Sequence, residues 1–290
     1  MDSKKVFLEN EKIKIAVLPL GAELCSLYHK QHRLQYLWQA GEAWTKHSPV
    51  LFPIVGQLKN NEYIHQQKKY TLPRHGFARE ETFSVLELQN HKVVFRLSDD
   101  ENTRKNYPFN FHFDIHYQLI ESEIIITYSV TNTGNEKMYF SVGAHPAFRV
   151  PLDLRDSYDD YYLEFDQEEH SERWPIKDGL IDVAPTAFFN SQKIHLTKEL
   201  FANDALVFKK INSQQIHLRS TKHEHGLTVT VNSCPYLGLW AAKGADFLCI
   251  EPWQGIADGV QATGEIAEKE GILCLGVGEN YQYQWALELF

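Results

Sequence analysis

The sequence predicts an all-β chain, a large antiparallel sandwich or barrel. Three observations carry this: a hydrophobic period of two in many short runs, turn residues between those runs, and scarce helical periodicity. In Phe109-Asn110-Phe111-His112-Phe113-Asp114-Ile115-His116-Tyr117-Gln118-Leu119 every odd position is apolar and every even one polar, so one face meets a core and the other water or a cleft. The same alternation recurs over 92–97, 123–130, 216–218 and 227–231. Turn signals such as Asn132-Thr133-Gly134-Asn135 separate the runs at hairpin-like spacing. Helical stretches are expected only near 101–106 and 191–201, both too short to organise a domain. No Pro/Gly/Ser linker, repeat or low-complexity tract interrupts the chain, so one domain is expected over 1–290.

Composition narrows the function. The 290 residues carry 29 Lys and Arg against 38 Asp and Glu, a net charge of −9. Such a chain is a poor partner for nucleic acid or an acidic membrane, because those surfaces are bound chiefly through an excess of cations. Hydrophobic residues make up 43% of the chain, enough to bury a large core. Aromatics are abundant, with 6 Trp, 14 Tyr and 17 Phe, a supply that strands and sugar-binding clefts both use. The N-terminal Met1-Asp2-Ser3-Lys4-Lys5 leads into no long apolar stretch, and no window has the roughly 18 apolar residues of a membrane span. A cytoplasmic protein is expected, with its four separated cysteines, Cys25, Cys234, Cys249 and Cys274, as reduced buried thiols.

Chemistry is sought where polar segments interrupt the alternation. Arg74-His75-Gly76-Phe77-Ala78-Arg79, shortly after 51–61, places a histidine between an arginine and a glycine, as on a tight bend or a solvated loop. Ser141-Val142-Gly143-Ala144-His145-Pro146-Ala147-Phe148 puts His145 before a proline that holds the backbone extended; the imidazole is either packed or held for proton transfer. Asp204, in Asn203-Asp204-Ala205, reads as a turn aspartate or a ligand. In Cys249-Ile250-Glu251-Pro252-Trp253 a carboxylate closes an apolar run. Glu251 is therefore expected at a strand end in desolvated surroundings, where burial raises its pKa toward that of a general base at neutral pH.

Other chemistries fit less well. His223 and His225 share one strand face, as do His112 and His116, yet neither pair has a third ligand or a cysteine at zinc spacing, and no metal is expected. There is no GxSxG elbow and no glycine-rich phosphate loop. Acid–base chemistry by histidine and carboxylate, without a cofactor, remains.

At these segments the chain resembles the aldose 1-epimerase (galactose mutarotase-like) family, and most of all its LacX-type branch. The marks are Gly21-Ala22-Glu23-Leu24, Leu37-Trp38, Pro53-Ile54-Val55-Gly56, Arg74-His75-Gly76-Phe77-Ala78-Arg79, Tyr107-Pro108-Phe109, Gly143-Ala144-His145-Pro146-Ala147-Phe148, Asn203-Asp204-Ala205-Leu206 and Cys249-Ile250-Glu251-Pro252-Trp253. The resemblance implies a β-supersandwich that holds a monosaccharide and interconverts its α and β anomers. It implies Glu251 as base, His145 as acid, His75 as a second imidazole near the ring oxygen and Asp204 as a ligand of sugar hydroxyls. Members of the family usually carry an arginine in the segment matching 56–61; this chain has none there, which leaves Lys59 or Arg79 to do that work. Trp38, Phe77, Phe148 and Trp253 are candidates for an aromatic cleft wall, since sugars offer apolar CH faces.

The expected activity is that of an aldose 1-epimerase, as monomer or homodimer. Two alternatives accompany it. A hexose-6-phosphate 1-epimerase would use Arg74, Arg79 and Lys59 as an anion site. A sugar-binding sensor of the same fold would not need both His145 and Glu251.

Overall fold

The computed structural model describes residues 4–232 and 234–290. Its elements are almost all strands, set in large antiparallel sheets. The alternating run at 109–119 becomes the strand Phe111–Ile120, in which Phe111, Phe113, Ile115, Tyr117 and Leu119 are buried. Asp114, an even-numbered polar residue, is buried as well, because Arg96 on the next strand grips both its oxygens at 2.7 and 2.6 Å. The other alternating runs become strands Lys92–Ser98, Glu123–Asn132, Gln215–Ser220 and Leu227–Thr230.

A four-stranded antiparallel sheet opens the chain, running through Val6–Glu9, Ile13–Leu18, Glu23–His29 and Leu34–Gln35. The main sheet follows a long path. From one edge it runs through Val50–Leu51, Val142–Ala144, Phe247–Gln254, Tyr236–Trp240, Leu206–Lys209 and Tyr161–Trp174. It continues through Gln215–Ser220, Leu227–Thr230, Asn280–Leu289, Glu123–Asn132 and Phe111–Ile120 to Lys92–Ser98 and Ser84–Leu88. One continuous apolar cluster draws on both sheets, from Leu8, Ile15 and Val17 to Trp285 and Leu287. Most of the aromatic supply is spent here, Phe52, Phe95, Phe113, Phe140 and Tyr161 being fully buried.

Three expectations are corrected. The segment 191–201 is not helical: the strand Thr186–His195 covers its first half, paired with Tyr161–Trp174, and turns follow. Cys274 is exposed, unlike Cys25, Cys234 and Cys249. Glu251 lies not at a strand end but inside Phe247–Gln254, all eight residues of which are buried. A gap in the pairing on one side accommodates Pro252, which has no N–H to give to the ladder. On one side the strand pairs from Tyr236↔Trp253 to Trp240↔Cys249, whereas on the other Gly143↔Trp253 and Ala147↔Cys249 leave a gap that His145 and Pro146 span. A central-strand proline is tolerated at such an interruption.

No helix among the described residues is long and apolar enough to cross a membrane.

Candidate active site

The interruption in the sheet is where polar side chains converge. His145 leaves the ladder between its two short strands, its N–H donating to Pro49 O at 3.1 Å, and turns its imidazole onto the strand that carries Glu251. His145 Nε2 stands 3.4 Å from Glu251 Oε2. Trp253, two residues along on the same face, donates its indole N–H to that same oxygen at 3.2 Å. The indole fits because the adjoining strands carry glycines there: a Cβ at Gly238 would lie 2.5 Å from Trp253 Cζ2, and one at Gly143 would lie 2.8 Å from its Cδ1.

His75 arrives from the other side on a tight bend. Its φ is +69° and that of Gly76 is +71°, and a Cβ at Gly76 would meet Phe52 O at 2.2 Å. The imidazole is buried rather than solvated. Gly56 N–H donates to its Nδ1 at 3.1 Å, and its own N–H donates to Gly56 O at 2.8 Å. An imidazole nitrogen that accepts cannot carry the proton, so neutral His75 is the Nε2–H tautomer.

These side chains line a cleft of about 560 Å³. Glu251, His145, His75, Asp204, Arg74, Arg79 and Trp253 all face it. Asp204 reaches it from a turn with φ of +85°, its Oδ1 accepting the N–H of Ala205 at 2.7 Å. Arg79 donates through Nη2 to Arg74 O at 3.0 Å, which ties the two arginines into one corner.

Lys59 and Phe77 are not brought there. Lys59 turns its ammonium to Ala262 O at 3.2 Å, and Phe77 packs with Phe52, Tyr107 and Phe111. Phe148 is likewise core, and Trp38 acts at one remove, its indole N–H holding Trp44 O at 2.9 Å.

Trp253, an expected wall residue, does line the cleft, and two tryptophans that the sequence reading passed over join it there. Trp44 stacks on His145 with ring centroids 5.0 Å apart, and Trp240 meets the same imidazole edge-on at 5.7 Å. Trp240 ends the strand beside that of Glu251 and Trp44 lies in a loop far away in sequence; no motif or alternation marked either. Lys243 also borders the cleft.

Burial sets the electrostatics. Desolvation pushes Glu251 up to about 8, against smaller lowering effects from the Trp253 hydrogen bond and Arg74. It pushes His145 down to about 3, with Arg74 and Arg79 adding to the effect, and His75 well below its ordinary value. Burial thus disfavours the charged form of both members of the Glu251–His145 pair. Cys249 Sγ lies within 4.8 Å of ligand atoms of both. Burial pushes that thiol well up, so it stands neutral beside the pair.

A buried carboxyl and an imidazole that meet in a tryptophan-walled cleft form an arrangement able to exchange a proton with a bound molecule. The comparisons name the family. The aldose 1-epimerase model matches residues 4–274. The plasmid-borne LacX protein of Lactococcus lactis subsp. lactis is 34% identical over 275 residues, 90% of this chain and 91% of that one. Among solved structures, a galactose mutarotase related enzyme from Lactobacillus acidophilus superposes with a TM-score of 0.95 at 34% identity, covering 99% of this chain and 97% of that one. A galactose mutarotase-like protein from Lactobacillus casei superposes with a TM-score of 0.93 at 29% identity, covering 99% and 100%. The chain belongs to the aldose 1-epimerase family, and with it to the isomerases that act on carbohydrates.

Proposed function

We propose that the protein is a mutarotase, which opens and recloses an aldopyranose ring through Glu251 and His145. The observation that carries this reading is the 3.4 Å contact between the two groups inside a cleft large enough for a hexose. Ring opening needs a base at the C1 hydroxyl and an acid at the ring oxygen. As Glu251 takes the O1 proton, C1 becomes a carbonyl, the bond from C1 to the ring oxygen breaks and that oxygen takes a proton from His145. Rotation about C1–C2 and reclosure return both protons, now with the opposite face attacked. Electrons and protons balance without a co-reactant.

A pair that holds one proton suits this exchange, because each productive state has one member loaded and one empty. In the free cleft the proton rests on Glu251. Sugar hydroxyls that donate to the carboxylate, with Arg74 nearby, favour its transfer to the imidazole. His75, fixed as the Nε2–H tautomer, presents a donor to a sugar oxygen, and Asp204 accepts from hydroxyls. Trp44 and Trp240 offer faces for the apolar side of the ring. Each positioned proton-transfer group is worth roughly 10²–10⁴-fold.

A second reading of the substrate has its own support. Arg74, Arg79 and Lys243 border the cleft of a chain whose net charge is −9, a local excess of cations suited to an aldose 6-phosphate. NMR exchange or polarimetry on freshly dissolved α-glucose, α-galactose and their 6-phosphates tests both. Equilibration faster than in buffer, abolished in Glu251→Gln, is the expected outcome. If no aldose of the panel responds, the mutarotase reading falls and the cleft is a sugar-binding site.

A further inference from the structure

Behind the cleft lies a buried ion pair that the proton transfer does not use. Lys269 Nζ donates to Asp258 Oδ1 at 2.9 Å and to Ile256 O at 2.5 Å, the two side chains being only 2% and 4% exposed. Such a pair adds little stability over apolar residues of the same size, since desolvation offsets its attraction. What Asp258 touches points to another role. Its Oδ2 accepts the backbone N–H of Lys59 at 2.9 Å, its own N–H donates to Gln57 O at 2.9 Å, and its carbonyl accepts the N–H of Ile181, which borders the cleft, at 2.9 Å.

The segment gripped in this way begins at Gly56, whose N–H fixes Nδ1 of His75. Gly56 lies so close to the chain before Asp258 that a Cβ there would stand 2.4 Å from that of Ala257. A displacement of 257–258 therefore carries Gly56 with it. A carboxylate accepts a stronger bond from a backbone N–H than a neutral group does, and the buried lysine beside it favours that charged form.

We propose that Asp258, held as a carboxylate by Lys269, is a positioning residue for His75. Through the 56–59 segment it keeps Gly56 N–H on Nδ1, so that the imidazole stays in one tautomer with its Nε2–H free for the cleft. The kinetic consequence rests on the sugar-facing role proposed for His75; the tautomer does not.

Two double variants test this. Asp258→Asn with Lys269→Met is near-isosteric and removes both charges; Asp258→Ala with Lys269→Met also removes the acceptor for Lys59 N–H. Long-range 1H–15N correlation reads the His75 ring nitrogens without turnover. The wild type is expected to show a single Nε2–H tautomer, and each variant that folds a shift toward averaged tautomers, larger for the alanine pair. For the sugar that equilibrates fastest, kcat is expected to fall roughly tenfold in the alanine pair with KM within about twofold. Asp258→Glu with Lys269 intact is expected to restore much of both signals. A folded variant with the wild-type nitrogen spectrum and kcat overturns the proposal and leaves the pair a matter of stability alone. Because the spectrum needs no substrate, its outcome is independent of whether Glu251 acts as a base.

Discussion

His145 Nε2 and Glu251 Oε2 stand 3.4 Å apart at the place where the strand bearing Glu251 loses its partner on one side. The sheet supplies rigidity above and below the contact. The gap supplies room for an imidazole where a ladder residue would otherwise lie.

Glu251→Gln keeps the shape of the side chain, and its amide oxygen can still accept from Trp253. Anomerisation by NMR exchange is expected to fall by about 10²–10⁴-fold while the circular dichroism spectrum is unchanged. The same variant is expected to be more stable than the wild type in mildly alkaline buffer. A carboxyl whose folded-state pKa is raised contributes stability that is fully present below its ordinary value of 4.5 and is lost as pH rises through about 8. Glutamine does not ionise and escapes that loss, so calorimetry at pH 8 against pH 4 is expected to show a relative gain of about 1–3 kcal/mol.

The single proton on the pair predicts the pH profile. As pH rises through about 8 the pair loses that proton, and kcat/KM is expected to decline toward tenfold per pH unit. Arg74 lowers the pKa of Glu251, so Arg74→Ala is expected to move this limb to higher pH. A profile flat to pH 10 contradicts the assignment.

Trp240→Ala removes an aromatic face of the cleft while leaving Trp44 stacked on His145. KM for the preferred sugar is expected to rise about threefold to tenfold, with kcat little altered, as steady-state kinetics can measure.

Lys59 and Arg74 were both expected in an anion site, but only Arg74 faces the cleft. Lys59→Ala is expected to leave KM within about twofold, whereas Arg74→Ala is expected to weaken binding of an aldose 6-phosphate far more than that of the free sugar. Equal effects of Arg74→Ala on the two sugars count against the phosphorylated substrate.

Gly238→Ala drives a methyl to 2.5 Å from Trp253 Cζ2, and Gly143 on the opposite strand prevents the ring from retreating. Denaturant unfolding is expected to show a loss of about 1–3 kcal/mol.

Particular residues show how far the sequence could be read. The 109–119 run declared its strand and its buried face because period-two alternation is a local property. The helix expected over 191–201 failed for the complementary reason: Thr186–His195 is extended because it pairs with Tyr161–Trp174, a partner remote enough to leave no local trace. Glu251 was legible as a desolvated carboxylate from Cys249-Ile250-Glu251-Pro252-Trp253, but its place inside the strand was not. Pro252 suggests an end, and only the gap opposite His145 allows the strand to continue.

The sequence by itself determined the β class, the net charge of −9 and the short motifs that bear His75, His145, Asp204 and Glu251. These are matters of composition, alternation and residue order, which need no third dimension. Tertiary structure alone decided that Lys59 and Phe77 lie outside the cleft, that Trp44 and Trp240 wall it, and that Glu251 and His145 meet. The physical reason is that a sheet joins strands more than 100 residues apart, and burial at their junction, rather than any neighbour in the chain, raises the Glu251 pKa.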